Sequence, residues 1–187
     1  LQQLEVEQEQ LARLKREYDA IRSIDDLPFV WDIAFVEVLG GDKKGFDIVV
    51  GNPPYVRQES IHDPRQSQAE VSAADKRQYK AKLQHAVYTT WPETFGYDWG
   101  SDKTSWKLDA RSDLYIYFYF HGLHLLNSKG AFCFITSNAW LDVGYCSALQ
   151  EFLLTRAAVK LVIDNQERRS FERADVNTVI VLLGAPT

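Results

Sequence analysis

The sequence has no methionine, only two cysteines, and no apolar run long enough to span a bilayer. With Leu1 at its head and no Met anywhere, the chain is expected to begin away from a translational start. Cys133 and Cys146 cannot make a disulfide framework or a four-ligand zinc centre between them. Both stand in apolar stretches and read as small buried hydrophobes. The aromatic run from Leu114 to Leu126 is too short to cross a membrane and carries two histidines. No secretory leader is visible, so a reducing, cytoplasmic setting without membrane partners is expected. No clustered metal-ligand spacing occurs, and no metal is expected. Basic charge is also scarce. The net charge is −5, which argues against long-range attraction of nucleic acid by the whole chain. The acidic excess lies in residues 1–45, however; residues 46–187 are nearly neutral and leave room for a local basic patch.

What is present suits one folded domain. The 187 residues are 45% hydrophobic and 25% charged, enough for a core and unlike a disordered tail. Residues 1–27 read as an N-terminal helical arm, with Leu4, Leu11 and Tyr18 seven apart and Leu14 and Ile21 between them; Glu7 breaks the seam. Phe29–Leu39 reads as a strand or extended segment, and Gly40-Gly41 as a turn. Phe46–Val50 is a buried parallel strand, expected to be covered on both faces. Glu70–Gln84 reads as a helix with Lys76, Arg77 and Lys80 outward, followed by an aromatic-rich loop. Ser112 looks like an N-cap with Asp113 in the first turn. The helix they open, Leu114–Leu126, is apolar nearly all round and stops at Lys129-Gly130. Ala131–Thr136, Val159–Ile163 and Thr178–Leu183 read as strands, and Val143–Ala157 as an amphipathic helix. This alternation predicts an α/β fold, an open sheet with helices on both faces. Only a loop joins the last two strands, so the final one is expected to run antiparallel.

The most informative stretch is FDIVVGNPPY, residues 46–55. Ligands of open α/β sheets sit beyond the carboxyl ends of strands, and Asn52-Pro53-Pro54-Tyr55 directly follows the first strong one. The Asn52 amide oxygen and the Pro53 carbonyl are both acceptors. Two acceptors side by side match the two protons of one exocyclic amine and leave its lone pair aimed at an electrophile. The prolines fix φ, so little reorganisation is needed. Tyr55 can stack on the flat ring that carries the amine. The plain alternative is a sharp turn, which Asn-Pro often starts. Ser137 and Asn138 end a strand on the same sheet edge and could line a site or simply form a turn. Trp91, Trp99 and Trp106, with Lys103 and Lys107, could touch DNA, although local packing fits them better. His121 and His124 read as helix-face residues.

FDIVVGNPPYV resembles the catalytic motif of N6-adenine DNA methyltransferases, above all the Eco57I-type restriction–modification methylases. SDLYIYFYFHGLHLL, KGAFCFITSNAWL and FERADVNTVIVLL resemble the helix, strand and final loop-and-strand that follow it there. WDIAFVEVL is similar to the family's upstream aromatic segment, with Val36 where a proline is expected. The resemblance implies methyl transfer from S-adenosyl-L-methionine to N6 of an adenine flipped out of double-stranded DNA. On that reading Asn52, Pro53, Pro54 and Tyr55 are catalytic, Tyr55 and Phe171 stack on the two faces of the base, and Asp113 lies near the cofactor. It also implies a partial Rossmann-like methyltransferase sheet of strands 4-5-7-6, the last in sequence antiparallel, in a catalytic half spanning residues 28–187.

The family's glycine-rich cofactor loop and the acidic residue after its second strand have no counterpart before Phe46. The chain is therefore expected to be the catalytic half of a domain, inactive alone. Its strand-4 edge would be covered by the missing N-terminal half or another chain. Two alternatives stay open: a related methylase of RNA or protein glutamine, and a non-catalytic module for DNA binding or subunit assembly. No target DNA sequence is legible.

Overall fold

In the computed structural model, residues 29–42, 44–165 and 177–187 are described. The chain divides into two compact units, Leu1–Val36 and Glu37–Thr187. The expected arm over residues 1–27 and the site residue Phe171 lie outside the described residues.

In the first unit, Trp31–Ala34 makes one helical turn; a second turn, Val36–Leu39, follows across the boundary. Trp31 and Phe35 stack with ring centroids 5.3 Å apart, and Phe29 meets Trp31 edge-on at 5.2 Å. The expected strand over Phe29–Leu39 is thus corrected to helical turns. Positions four apart share one helix face, so the Trp31–Phe35 contact favours the helix, whereas the alternation that suggested a strand finds no strand to pair with among the described residues.

The second unit contains strands β1 (Phe46–Gly51), β2 (Tyr97–Asp98), β3 (Lys103–Thr104), β4 (Leu126–Ser137), β5 (Val159–Asp164) and β6 (Thr178–Gly184), and helices α1 (Ala73–Thr90), α2 (Leu114–His124) and α3 (Ser147–Thr155). β2 and β3 form a small hairpin; the others make one sheet in the order β1-β4-β6-β5. β1 and β4 are parallel, with Val49 opposite Phe132. β6 runs antiparallel to both β4 and β5, as its short connection required. β1 and β5 are the edge strands.

Among the described residues the helices cover one face of the sheet. Tyr119 of α2 lies 5.5 Å from the Phe132 ring and 5.6 Å from Phe134. Phe120 packs on Phe152 of α3 at 5.0 Å, and α1 lays Val87 and Tyr88 into the same core. On the opposite face Ile48 is 68% and Val50 73% exposed, and Leu161, Ile163 and Ile180 are exposed beside them. The expectation of helices on both faces, and of β1 buried on both, is corrected: among the described residues one apolar sheet face stands open. A run of consecutive apolar residues suits a two-sided strand but cannot report whether both covers are at hand.

Local chemistry moves several boundaries. α1 begins after Ser72, whose hydroxyl accepts from the Asp75 N–H while Asp75 accepts from the Ser72 N–H, a capping box. It continues past Gln84 to Thr90 because Val87 and Tyr88 are buried. Lys76 and Lys80 do not merely face outward: Lys76 donates to the Glu59 carbonyl at 2.9 Å, and Lys80 to the Gln58 side chain at 3.0 Å. β4 starts at Leu126, ahead of the predicted Ala131. The polar residues Asn127–Gly130, of which Lys129-Gly130 were read as the helix stop, form an irregular strand start where the β1–β4 register shifts. There the buried Asn127 amide donates to Asp47 at 2.8 Å. α3 is shorter than predicted, its upstream turns being 3-10 in form.

Candidate active site

β1 stops at Gly51, where an added Cβ would stand 2.9 Å from the Phe134 ring, so glycine lets the strand end lie flat against β4. Asn52 follows on the surface, Pro53 is buried, Pro54 is exposed and Tyr55 is half-buried. The turn therefore presents the Asn52 side chain to solvent at the carboxyl end of a sheet strand.

The segment beyond the turn is tied down on both sides. The Tyr55 hydroxyl donates to the Ile135 carbonyl near the end of β4, at 3.3 Å. The Leu114 N–H donates to the Val56 carbonyl at 3.0 Å. The Gln58 N–H donates to Asp113 Oδ1 at 2.8 Å. Asp113, rather than the buried Ser112, occupies the N-cap position of α2, yet its side chain makes no bond to its own helix. That corrects the first-turn placement: an Asp at an N-cap ordinarily accepts from the N–H two or three residues on, and here the carboxylate goes to Gln58 instead.

These contacts frame a cleft of about 490 Å³, lined among others by Tyr55, Gln58, Asp113, Ser137 and Asn138. Asn52, Pro53 and Pro54 are outside its lining; the cleft begins at Tyr55. Burial raises the Asp113 carboxyl above the usual carboxylate range, against the lowering effect of the Gln58 N–H, with Glu59 raising it further and Arg57 lowering it. Burial likewise raises the Tyr55 hydroxyl, which stays protonated and donates.

Ser137 and Asn138 line the cleft and also do the work of a turn. The Ser137 hydroxyl accepts from the Ala139 N–H at 3.2 Å. Asn138 joins the ends of β5 and β6, its amide donating to Asp164 at 3.1 Å and its N–H to the Asn177 carbonyl at 3.0 Å. Arg111 and Tyr145 are among the cleft residues that escaped the sequence reading. Arg111 is held by Asp109, whose carboxyl it lowers to about 2, and its guanidinium lies 5.4 Å from the Tyr145 ring centroid. The one available signal was its position just before the helix that opens at Asp113.

The tryptophans separate by burial. Trp91 donates to the Phe120 carbonyl at 3.1 Å and meets Phe152 at 4.8 Å; Trp106 stacks on Phe95 at 5.2 Å. Both are packing residues. Trp99, 68% exposed, sits in the β2–β3 turn. His124 meets Trp91 edge-on, and burial, then His124, lowers the His121 imidazole. Among the described residues no group of three or more His, Cys, Asp or Glu could hold a metal ion, and no helix is long and apolar enough to cross a membrane.

A family model described as the Eco57I restriction-modification methylase matches residues 2–91 and 96–171. The chain belongs to this methylase family. The first matched segment contains Asn52–Tyr55, and the second contains α2, β4, α3 and β5; β6 lies beyond it. The match starts well upstream of the resemblance seen from Phe29 onward. The chain is also similar to the Type II methyltransferase M.BstVI of Geobacillus stearothermophilus, 32% identical over 127 residues, or 68% of this chain and 17% of that protein. The aligned part is thus under a fifth of that methyltransferase. Methylases of this family would use S-adenosyl-L-methionine, but the described residues ahead of β1 are helical turns and a Gly40-Gly41 bend. They do not make a strand, glycine-rich loop and helix in succession, so the main cofactor site does not fit on them.

Proposed function

We propose that this chain is the substrate-side half of a restriction–modification DNA methyltransferase acting on N6 of adenine in double-stranded DNA, in a reducing, cytoplasmic setting. The observation that carries the reading is the exposed Asn52 at the carboxyl end of β1, three residues before a ring anchored at the mouth of a cleft.

On this reading an adenine is flipped out of the duplex, since its amino nitrogen is otherwise hidden in the stack. The Asn52 amide oxygen and the Pro53 carbonyl accept the two amino protons. That draws the nitrogen lone pair out of the ring and fixes its direction. Pro53 and Pro54 hold the turn so that the acceptors need little rearrangement. Tyr55 stacks on one face of the base and Phe171 on the other. S-adenosyl-L-methionine supplies the methyl group. The four-stranded sheet corresponds to strands 4, 5, 7 and 6 of a Rossmann-like methyltransferase sheet. The N-terminal half of that domain, or another chain, covers the outer edge of β1.

The test is methyl transfer to duplex DNA, read as N6-methyladenine after digestion to nucleosides, with the rest of the methyltransferase domain present. Asn52→Ala should lower turnover on the order of 100-fold or more with an unchanged melting temperature. Full activity in Asn52→Ala would overturn the assignment. A second reading, a methylase-like module that binds DNA or assembles subunits without chemistry, is favoured by the described residues ahead of β1, which form helical turns and a bend in place of a glycine-rich loop. It predicts DNA binding by the wild-type assembly and no transfer.

A further inference from the structure

Asp113 sits where its own helix needs a cap and does not provide one. Its carboxylate instead accepts from the N–H of Gln58, 55 residues earlier. Gln58 is the first residue of the 3-10 turn Gln58–Ser60. The first N–H groups of any helical turn lack internal acceptors, so Asp113 caps the turn that continues the Asn52–Tyr55 motif and gives α2 no side-chain cap, the Leu114 N–H of that helix being met by the Val56 carbonyl. An N-cap Asp ordinarily stabilises its own helix by accepting from one of its first N–H groups. Diverting it is understandable only if the cross-connection matters more than the helix end.

The connection has a defined geometry. Lys76 and Lys80 hold the same turn from its outer side, through the Glu59 carbonyl and the Gln58 side chain. Asp113 holds it from the cleft side, one residue away from the bond between the Leu114 N–H and the Val56 carbonyl. With the bond from Tyr55 to Ile135, the segment from Tyr55 to Gln58 is bonded to its surroundings at Tyr55, Val56 and Gln58. We infer that Asp113 is a positioning residue: by fixing Gln58 to the start of α2 it holds the Tyr55 ring at the angle required to stack on the flipped base. This rests on the proposed adenine chemistry and assigns Asp113 a task distinct from contacting the methyl donor. The acceptor oxygen matters for that task and the negative charge does not.

Three variants of the complete methylase separate the possibilities: Asp113→Asn, which keeps an acceptor oxygen, Asp113→Ala, which removes it, and Tyr55→Ala. Stacking is read from the quenching of 2-aminopurine placed at a looped-out position in a DNA duplex. Turnover and the KM for S-adenosyl-L-methionine are read on unmodified DNA. Circular dichroism checks that each variant is folded. Asp113→Asn should match wild type in quenching and turnover. Asp113→Ala should lose quenching and turnover together, roughly tenfold, with the KM for the methyl donor unchanged. A raised donor KM in both Asp113 variants, with quenching intact, would make the residue a cofactor contact and overturn the inference. So would an Asp113→Ala protein indistinguishable from wild type. If Tyr55→Ala leaves quenching intact, the stacking role of Tyr55 itself is wrong and the inference falls with it; normal quenching loss in Tyr55→Ala confines any failure to Asp113.

Discussion

Gly122 of α2 lies so close to Phe132 of β4 that a Cβ added to it would stand 2.8 Å from the Phe132 ring, with Phe134 and Val49 at 3.3 and 3.4 Å. All three neighbours belong to the sheet, and Phe132 is fully buried, so none can swing into solvent. Gly122→Ala should therefore destabilise the protein by about 1–3 kcal/mol through overpacking, despite the better helix propensity of alanine. Urea denaturation should show a lower midpoint at constant slope. An unchanged midpoint would mean that α2 does not approach the sheet this closely.

Tyr88 joins α1 to the excursion after it. Its hydroxyl accepts from the Leu108 N–H at 3.0 Å, both residues being buried. Tyr88→Phe keeps the ring and removes the acceptor, leaving a buried N–H without a partner at a cost of about 1–3 kcal/mol. Native-state hydrogen exchange at Leu108 should accelerate more than at amides in β4. Equal protection in the variant would show that the bond carries no weight.

The sheet was legible because its strands are apolar runs bounded by turns, and the antiparallel β6 because its connection leaves no room for a crossover helix. The Asn52–Tyr55 turn was legible because an exposed amide after such a run is unusual. What stayed hidden depends on distant partners. The helical form of residues 31–39 follows from ring stacking between Trp31 and Phe35. The length of α1 follows from the burial of Val87 and Tyr88, the latter bonded to Leu108 in the excursion after the helix. The bond from Gln58 to Asp113 has no local signature, since an Asp before a helix looks the same whether it caps that helix or another turn. The open face of the sheet was misread because Ile48 and Val50 carry the pattern of residues meant for burial.

Burial of Asp113 sets the sign of a pH dependence of stability. Burial, the largest influence, raises its carboxyl in the folded state, so the unfolded chain releases that proton at a lower pH. Folding is favoured by this group below the unfolded value of about 3.9, and the advantage is lost as pH rises through the folded value. At pH 7 the buried carboxylate is a net cost. Asp113→Asn, which keeps an acceptor for Gln58, should melt at or above the wild-type temperature at pH 7 and lose that advantage near pH 3.5. Thermal melts at the two values check it. A variant less stable at pH 7 than at pH 3.5, relative to wild type, would show that the charge is stabilised by its surroundings.

The two cysteines probe the two faces of the sheet. Cys146 is buried beneath the helices and its thiol is pushed up to about 12, chiefly by burial; since the thiolate is the nucleophile, it should be inert at pH 8. Cys133 pairs with Val50 on one side and Leu182 on the other. Directly paired residues project from the same face, and Val50 is open to solvent, so Cys133 belongs to the uncovered face, where it is half-buried. Iodoacetamide at pH 8 should label Cys133 in the native chain and reach Cys146 only after denaturation. Simultaneous labelling would contradict the one-sided sheet. The same residue reports on assembly: if the N-terminal half of a methyltransferase domain, or another chain, covers that face as well as completing the edge of β1, Cys133 should become protected in the assembled protein while remaining reactive in this chain alone. Equal reactivity in both would confine the partner to the edge and leave the apolar face of Ile48, Val50 and Ile163 exposed in the complete enzyme, an arrangement the hydrophobic effect disfavours.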